Sequence, residues 1–423
     1  MPIRSSLQLL AEKLAFRSRT VSVSFRLVIF LLATVAAIPV AQAQTFNVIY
    51  TFGTYGAHPQ TGLTMDAAGN LYGTTSKITG NAGSVFRLSK RNSSWVFSQL
   101  YSFQGNSDGA APDTRPVFGP NGLLIGATAE GGGPGCEGYG CGTVYTLTPP
   151  PHFAANVLNN WSENIRYRFT GGANGSAPFG DLIFDQAGNI YGVDGTGTTG
   201  WGAVYRMTPN NNHNWDLTVL YNFTGGSDGG GAYGIVFDNA GRLYGPTAAG
   251  GANGDGTIFR LTPSQGGWTE EALYNFQGAS DGRTPAAGLI FDAAGNLYGT
   301  TLYGGSGGGG IVFELSPSGD TWTLTTLYSF TGPGGSSGIL AMDAAGNLYG
   351  TTFSDGLYQQ GNVFKLSPSN GGWIYTSLHD FTAGSDGANP AAGVVLDSAG
   401  NIYGTAENSD GQFGPGLVFE ITP

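Results

Sequence analysis

The chain has 423 residues, of which 73 are glycine, 40% hydrophobic and 12% aromatic, a composition too apolar for a disordered chain. It carries 17 Lys and Arg against 28 Asp and Glu, a net charge of −11, which makes nucleic acid and anionic lipid poor partners.

Residues 1–43 read as a signal peptide. Arg4, Lys13, Arg17, Arg19 and Arg26 precede an apolar run from Leu27 to Val40, and Ala41-Gln42-Ala43 supplies a small-x-small cleavage site. The run is shorter than the roughly 18 residues expected of a retained span, and no second run follows it. The expectation is a secreted or periplasmic protein with no stable membrane span after cleavage and no C-terminal anchor. Cleavage removes five basic residues and one acidic one, leaving 12 against 27 and a net charge of −15.

From residue 44 to 423 one pattern, D-A-A-G-N-L-Y-G, organises the chain. It stands at Asp66–Gly73, Asp185–Gly192, Asp238–Gly245, Asp292–Gly299, Asp343–Gly350 and Asp397–Gly404, with a degenerate copy at Gly119–Gly126. The copies close every 51 to 66 residues, a period that marks a stacked or circular repeat. Each unit holds four short runs rich in Val, Ile, Phe, Tyr, Thr and Trp, bounded by Gly, Pro, Asn and Asp; these are strand signals. In the fifth unit they are Gly288–Phe291, Asn296–Thr301, Ile311–Ser316 and Thr321–Phe330.

Between the first and second runs, D-x-x-G-N suits a hairpin turn, with Asp accepting a backbone bond and Gly adopting the left-handed conformation. These aspartates therefore read as turn-formers. The third run carries Val-Phe or a relative of it and mostly ends in Ser-Pro or Thr-Pro, where proline is expected to stop strand pairing. Six of the fourth runs begin with Trp95, Trp161, Trp215, Trp268, Trp322 and Trp373, a stripe that reads as packing between neighbouring sheets.

Seven units of four strands specify an all-β, seven-bladed β-propeller. The first strand-like run after the leader, Phe46–Phe52, is of the fourth-strand class, and the last, Leu417–Thr422, is of the third. The N-terminal strand should therefore complete the last blade. Cys136 and Cys141 are spaced to form a disulfide within one loop of an exported protein.

Links from the fourth strand to the next blade, and loops between second and third strands, should share one face of such a ring. Four links carry S-D-G, with Asp108, Asp228, Asp281 and Asp386 in equivalent places, and Asp194, Asp255, Asp355 and Asp410 fall in the facing loops. Calcium bound by these oxygens and a plain Asx turn both account for the S-D-G pattern, and no other cofactor is expected. The same face carries rings at Tyr139, Trp201, Tyr303, Tyr358 and Phe413, with Tyr55 and Tyr233 in the adjoining links. Such rings suit stacking on sugars, while packing on glycine-rich neighbours is the plainer account.

Three linked motifs, D-x-A-G-N-[LI]-Y-G-T-T, G-x-V-F-x-L-[ST]-P and W-x₄-L-Y-x-F-x-G-x-S-D-G, recur across residues 45–423. Together they resemble the GloVer tandem repeat of exported bacterial proteins of the choice-of-anchor type. The resemblance implies export and brings no catalytic residue. Taken together, these readings point to a non-catalytic repeat protein binding carbohydrate or extracellular protein across one propeller face. A looser similarity, confined to D-x-x-G-N-[LI]-Y, connects the chain to streptogramin lyase and lactonase-type propellers. It implies the alternative, an enzyme acting on a small molecule or polysaccharide through a metal at the channel mouth, where His58 is the available histidine.

Overall fold

A computed structural model describes residues 44–53, 58–76, 80, 82–150, 161–210, 214–319, 321–409 and 414–423; the leader lies outside them. Thr45–Thr422 forms one unit made of seven antiparallel sheets, the seven-bladed propeller that the repeats specify. In blades one to six the strands follow one another in chain order, and blade four has an extra short strand, Gly230–Ala232. Blade seven is closed by the N-terminal strand: Thr45–Thr51 lies antiparallel to Leu417–Thr422, from Thr45 opposite Thr422 to Thr51 opposite Leu417. The two ends of the ring are thus joined by strand pairing.

Burial falls from the second strand outward. Second strands such as Leu348–Thr352 are wholly buried, because neighbouring blades cover both faces. Fourth strands such as Gly372–Asp380 alternate between exposed and half-buried residues.

The glycine that closes each repeat has a steric task. In all seven blades it lies directly opposite an aromatic residue of the third strand, as Gly73 does Phe86 and Gly350 does Phe364. A Cβ on Gly350 would stand 2.6 Å from Phe364 Cζ, and one on Gly126 only 2.4 Å from the Tyr145 hydroxyl. The rings fill that notch and are themselves fully buried. This is a demand for space, since these glycines do not need a left-handed backbone.

The turn before each notch is built by its aspartate. Asp292 Oδ1 accepts the amides of Ala294 and Asn296, and Oδ2 accepts Asn296 Nδ2 at 2.8 Å and the Tyr298 hydroxyl at 3.2 Å. Gly295 of the same turn has φ of 90°, where a side chain would be strained. Asp66, Asp185, Asp343 and Asp397 repeat the arrangement, and Arg242 replaces the asparagine in blade four. Burial opposes the charge of Asp292, but these donors outweigh it and hold the carboxyl below its ordinary range.

Two expectations need correction. Third strands run through the proline: Pro263, Pro317 and Pro368 still pair with Trp268, Trp322 and Trp373. The second strand of blade five starts opposite Leu315, so at Pro317 the third strand has a neighbour on one side only, and an edge tolerates a missing N–H. First strands are shorter than expected, Ile290–Phe291 in blade five. The preceding Gly288 instead abuts the next blade, where its Cβ would meet Ile339 Cδ1 at 2.9 Å.

Blades adhere through two aromatic contacts. The tryptophan stripe packs across the seam as expected: Trp161 meets Tyr72, Trp322 meets Tyr244, Trp373 meets Tyr298, and Trp95 meets Tyr403. Two residues further along the fourth strand, a second side chain meets the tyrosine-class residue of the preceding blade. Phe97 stacks on Tyr50 at 4.4 Å, Tyr375 on Tyr328 at 4.1 Å, and Phe46 of the closing strand on His379 at 3.6 Å.

Glu163 and Glu270 occupy the corresponding register positions of blades two and four, opposite Leu147 and Leu261. Burial, then the Asp108 charge, raises Glu163 to about 7 against the opposing pull of Arg168 and Arg166; burial, then Asp228 and Glu271, raises Glu270 to about 7.

Two outcomes follow from these contacts. Gly350→Ala should lower stability by about 1–3 kcal/mol, read as a shift in urea midpoint. Gly266→Ala, with nothing within 4 Å of its Cβ, should change it little. For the glutamates, the folded state keeps protons that the unfolded chain releases between pH 4.5 and about 7, so stability falls as pH rises through that window. Glu163→Gln with Glu270→Gln should raise the melting temperature by about 1–3 °C at pH 8 and converge on the parent at pH 4.5.

Candidate functional site

The first strands converge on the propeller axis and line a cavity of about 460 Å³. In blades five and seven the lining reads Ala-Ala-Gly, at Ala286–Gly288 and Ala391–Gly393. Blades one, two and three depart from it with Gln60-Thr61-Gly62, Asp113-Thr114-Arg115 and Phe179-Gly180-Asp181. The cavity therefore has a polar wall on one side and, on the other, an apolar wall of small residues with Ile339 of blade six between them.

On the polar wall Arg115 and Asp181, from adjacent blades, form an ion pair with Nη2 at 2.5 Å from Oδ2. The arginine stem passes over Gly62, where a Cβ would meet its Cδ at 3.3 Å. Arg115 Nε is buried without a partner among the described residues. Asp113 accepts the Ser76 hydroxyl at 3.4 Å. Burial pushes its carboxyl up to about 6, opposed by Ser76 and reinforced by Glu130. Gln60 donates to Glu407 Oε1 at 2.7 Å, and His58 Nδ1 stands 4.0 Å from that same oxygen. Tyr233, anticipated as a mouth residue, lines this cavity and meets Phe179 edge to face at 5.2 Å.

The loops between second and third strands lie at the same end as the links carrying S-D-G, and bridges such as Ala110–Glu130, Arg283–Tyr303 and Ala388–Asn408 tie the two sets together. Tyr139, Trp201, Tyr303 and Tyr358 are exposed there, Tyr139 by 65% and Trp201 by 44%. Trp201 lies flat on backbone: Cβ atoms placed on Gly225 and Gly230 would fall 2.2 Å and 2.6 Å from its ring. Arg283 sits 5.5 Å from the Tyr303 ring centroid. The loop bearing Tyr139 is closed by the expected Cys136–Cys141 disulfide. Phe413, Tyr55 and Asp410 lie outside the described residues. Leu357, 75% exposed beside Tyr358, was not anticipated, because a lone leucine in a loop carries no sequence signal.

Each S-D-G aspartate is engaged within its own link. Asp108, Asp228 and Asp281 accept the hydroxyls of Tyr101, Tyr221 and Tyr274 at 3.0, 3.1 and 2.8 Å, and Asp386 meets His379 Nε2 at 3.1 Å. Burial lowers the pKa of His379 despite that carboxylate. All four also accept a backbone amide, from Gln104, Thr224, Gln277 and Thr382. Asp194 is buried, with Oδ1 on the amides of Thr196 and Gly197. Among the described residues no three His, Cys, Asp or Glu side chains gather in a group that could hold a metal ion. Sequence reasoning passed over Gly105–Gly109, Gly225–Gly229 and Gly278–Gly282, which spell G-x-S-x-G. These serines sit in links between β-strands, not on the strand-to-helix elbow that exposes a nucleophile.

A family model, the Gloeobacter/Verrucomicrobia repeat, matches residues 33–213 and 194–419. The chain belongs to that family. No curated protein matches this member of the repeat family. Among solved structures it is similar to the extracellular domain of a B. thetaiotaomicron protein described as a one-component system, with a TM-score of 0.54 and 13% identity over 89% of this chain and 40% of that one. It is also similar to a protein from Lactobacillus plantarum, with a TM-score of 0.55 and 12% identity over 84% and 99% of the two chains. A protein from Bacteroides fragilis described as a 6-phosphogluconolactonase gives 0.52 and 14%, over 85% and 99%. At these identities the likeness is one of fold. The repeat protein spans 40% of the length of the first of these chains.

Because each S-D-G aspartate serves its own link, Asp281→Ala should lower stability by about 1–3 kcal/mol, measured by chemical denaturation. Added calcium should leave the melting temperature of the parent protein unchanged.

Proposed function

We propose that this repeat propeller is an exported binding module whose loop end takes carbohydrate. The observation that carries the reading is Trp201, a large ring held flat against Gly225 and Gly230 yet 44% exposed. One face rests on backbone, which fixes its orientation, and the remainder is offered to solvent. A ring immobilised in this way loses little freedom when a sugar stacks on it. Tyr139, Tyr303 and Tyr358 add exposed rings on other blades at the same end.

Rings stand among the exposed large side chains at this end in the described residues, which suits stacking on a ligand. Export is supported by the basic and apolar leader and by the disulfide. Among the described residues no helix is long and apolar enough to cross a membrane.

Trp201→Ala should weaken binding of a polysaccharide selected on a glycan array by about tenfold or more, with the melting temperature nearly unchanged. Equal affinity of parent and variant would overturn the reading. So would capture of proteins with no glycan bound at all.

A further inference from the structure

We propose that the central cavity is a second and separate site, which binds one neutral polyhydroxy ring, a single sugar or cyclitol, on the Arg115–Asp181 pair. This inference does not rest on the loop-end reading.

The pair is not something the ring of blades needs. At the same place in the repeat, blades one, four, five and seven carry Gly62, Gly234, Gly288 and Gly393, and those blades close equally well. Blades two and three substitute opposite charges, side by side, on the wall of the cavity. Drawing an ion pair even partly out of water costs free energy that a glycine would not. Arg115 Nε is also buried without a partner among the described residues, so the pair is not fully satisfied by the fold. At about 460 Å³ the cavity falls within the size range of small-molecule sites.

The chemistry of the pair selects the ligand class. A guanidinium only donates and a carboxylate only accepts, whereas each hydroxyl of a diol does both. A pair of neighbouring hydroxyls can therefore accept from Arg115 and donate to Asp181 without separating them. An anion would be repelled by Asp181 at the same pair that attracts it, and a cation by Arg115, whereas a neutral diol meets no like charge. Gln60 and Asp113 extend the polar wall, and the Tyr233 ring supplies an apolar face. Opposite, Ala287, Ala392 and Ile339 give the cavity an apolar wall against which the carbon face of a ring can lie.

The test is calorimetric titration of the full propeller with glucose, myo-inositol, glucuronate and glucosamine. Glucose or myo-inositol should bind, and the charged pair of sugars should bind at least about tenfold more weakly. Asp181→Asn and Arg115→Gln should each cost about tenfold, and Trp201→Ala should cost nothing, which separates this site from the loop end. Ala287→Leu fills the cavity from the far wall without touching the ion pair and should abolish binding, so the proposal stays testable if the charge variants fail to fold. Binding of none of the four, preference for glucuronate or glucosamine, or affinity indifferent to Ala287→Leu would each overturn it.

Discussion

A strand glycine lying beneath an aromatic ring of the next strand is the fit on which every blade depends. The second strand is covered on both faces by neighbouring blades, so its interior has no spare volume. Opposite Phe86, Tyr145, Tyr205, Phe259, Phe313, Phe364 and Phe419 only a residue without a Cβ allows the ring to lie down. The ring in turn supplies the wall for the adjoining blade, as Phe223 meets Phe259 and Phe330 meets Phe364 edge to face. A propeller of seven sheets is the same notch filled seven times.

Around that fit, polar side chains do local work and aromatic ones connect blades. Each turn aspartate binds its own hairpin, and each S-D-G aspartate binds the tyrosine or histidine of its own blade. The seams are held by tryptophan on tyrosine and by stacked rings. Glu163 and Glu270 are the exceptions, carboxyls placed where other blades use rings or leucine, and burial together with nearby acidic charge raises their pKa values. Closure by Phe46 on His379 uses the same seam contact as the interior blades, so the joint between the chain ends is not a special structure.

Both proposed sites fall where the repeat breaks its own rule. Trp201 lies outside the fourth-strand stripe, and its exposure follows from that. Arg115 and Asp181 stand where the repeat has glycine, a signal present in the sequence. It becomes readable only once strand register shows that this glycine position faces the axis. The aromatic residues were legible as a loop set because the period assigns each to the same link. Tyr233 does lie in a link, between Gly230–Ala232 and Val236–Phe237, and that it lines the cavity is a matter of side-chain direction, which spacing does not carry.

The sequence by itself determined the number of blades, the four strands in each, the closing strand and the turn aspartates, because each of these is repeated and local. Spacing is preserved along the chain, so periodicity reads it directly. Only the tertiary structure decided that the repeat glycine is a notch for a ring, that strands pass through the proline at the sheet edge, and that Arg115 meets Asp181 across a cavity. Those are relations between residues far apart in the chain or in separate blades, fixed by curvature and packing density, and a linear pattern carries no measure of either.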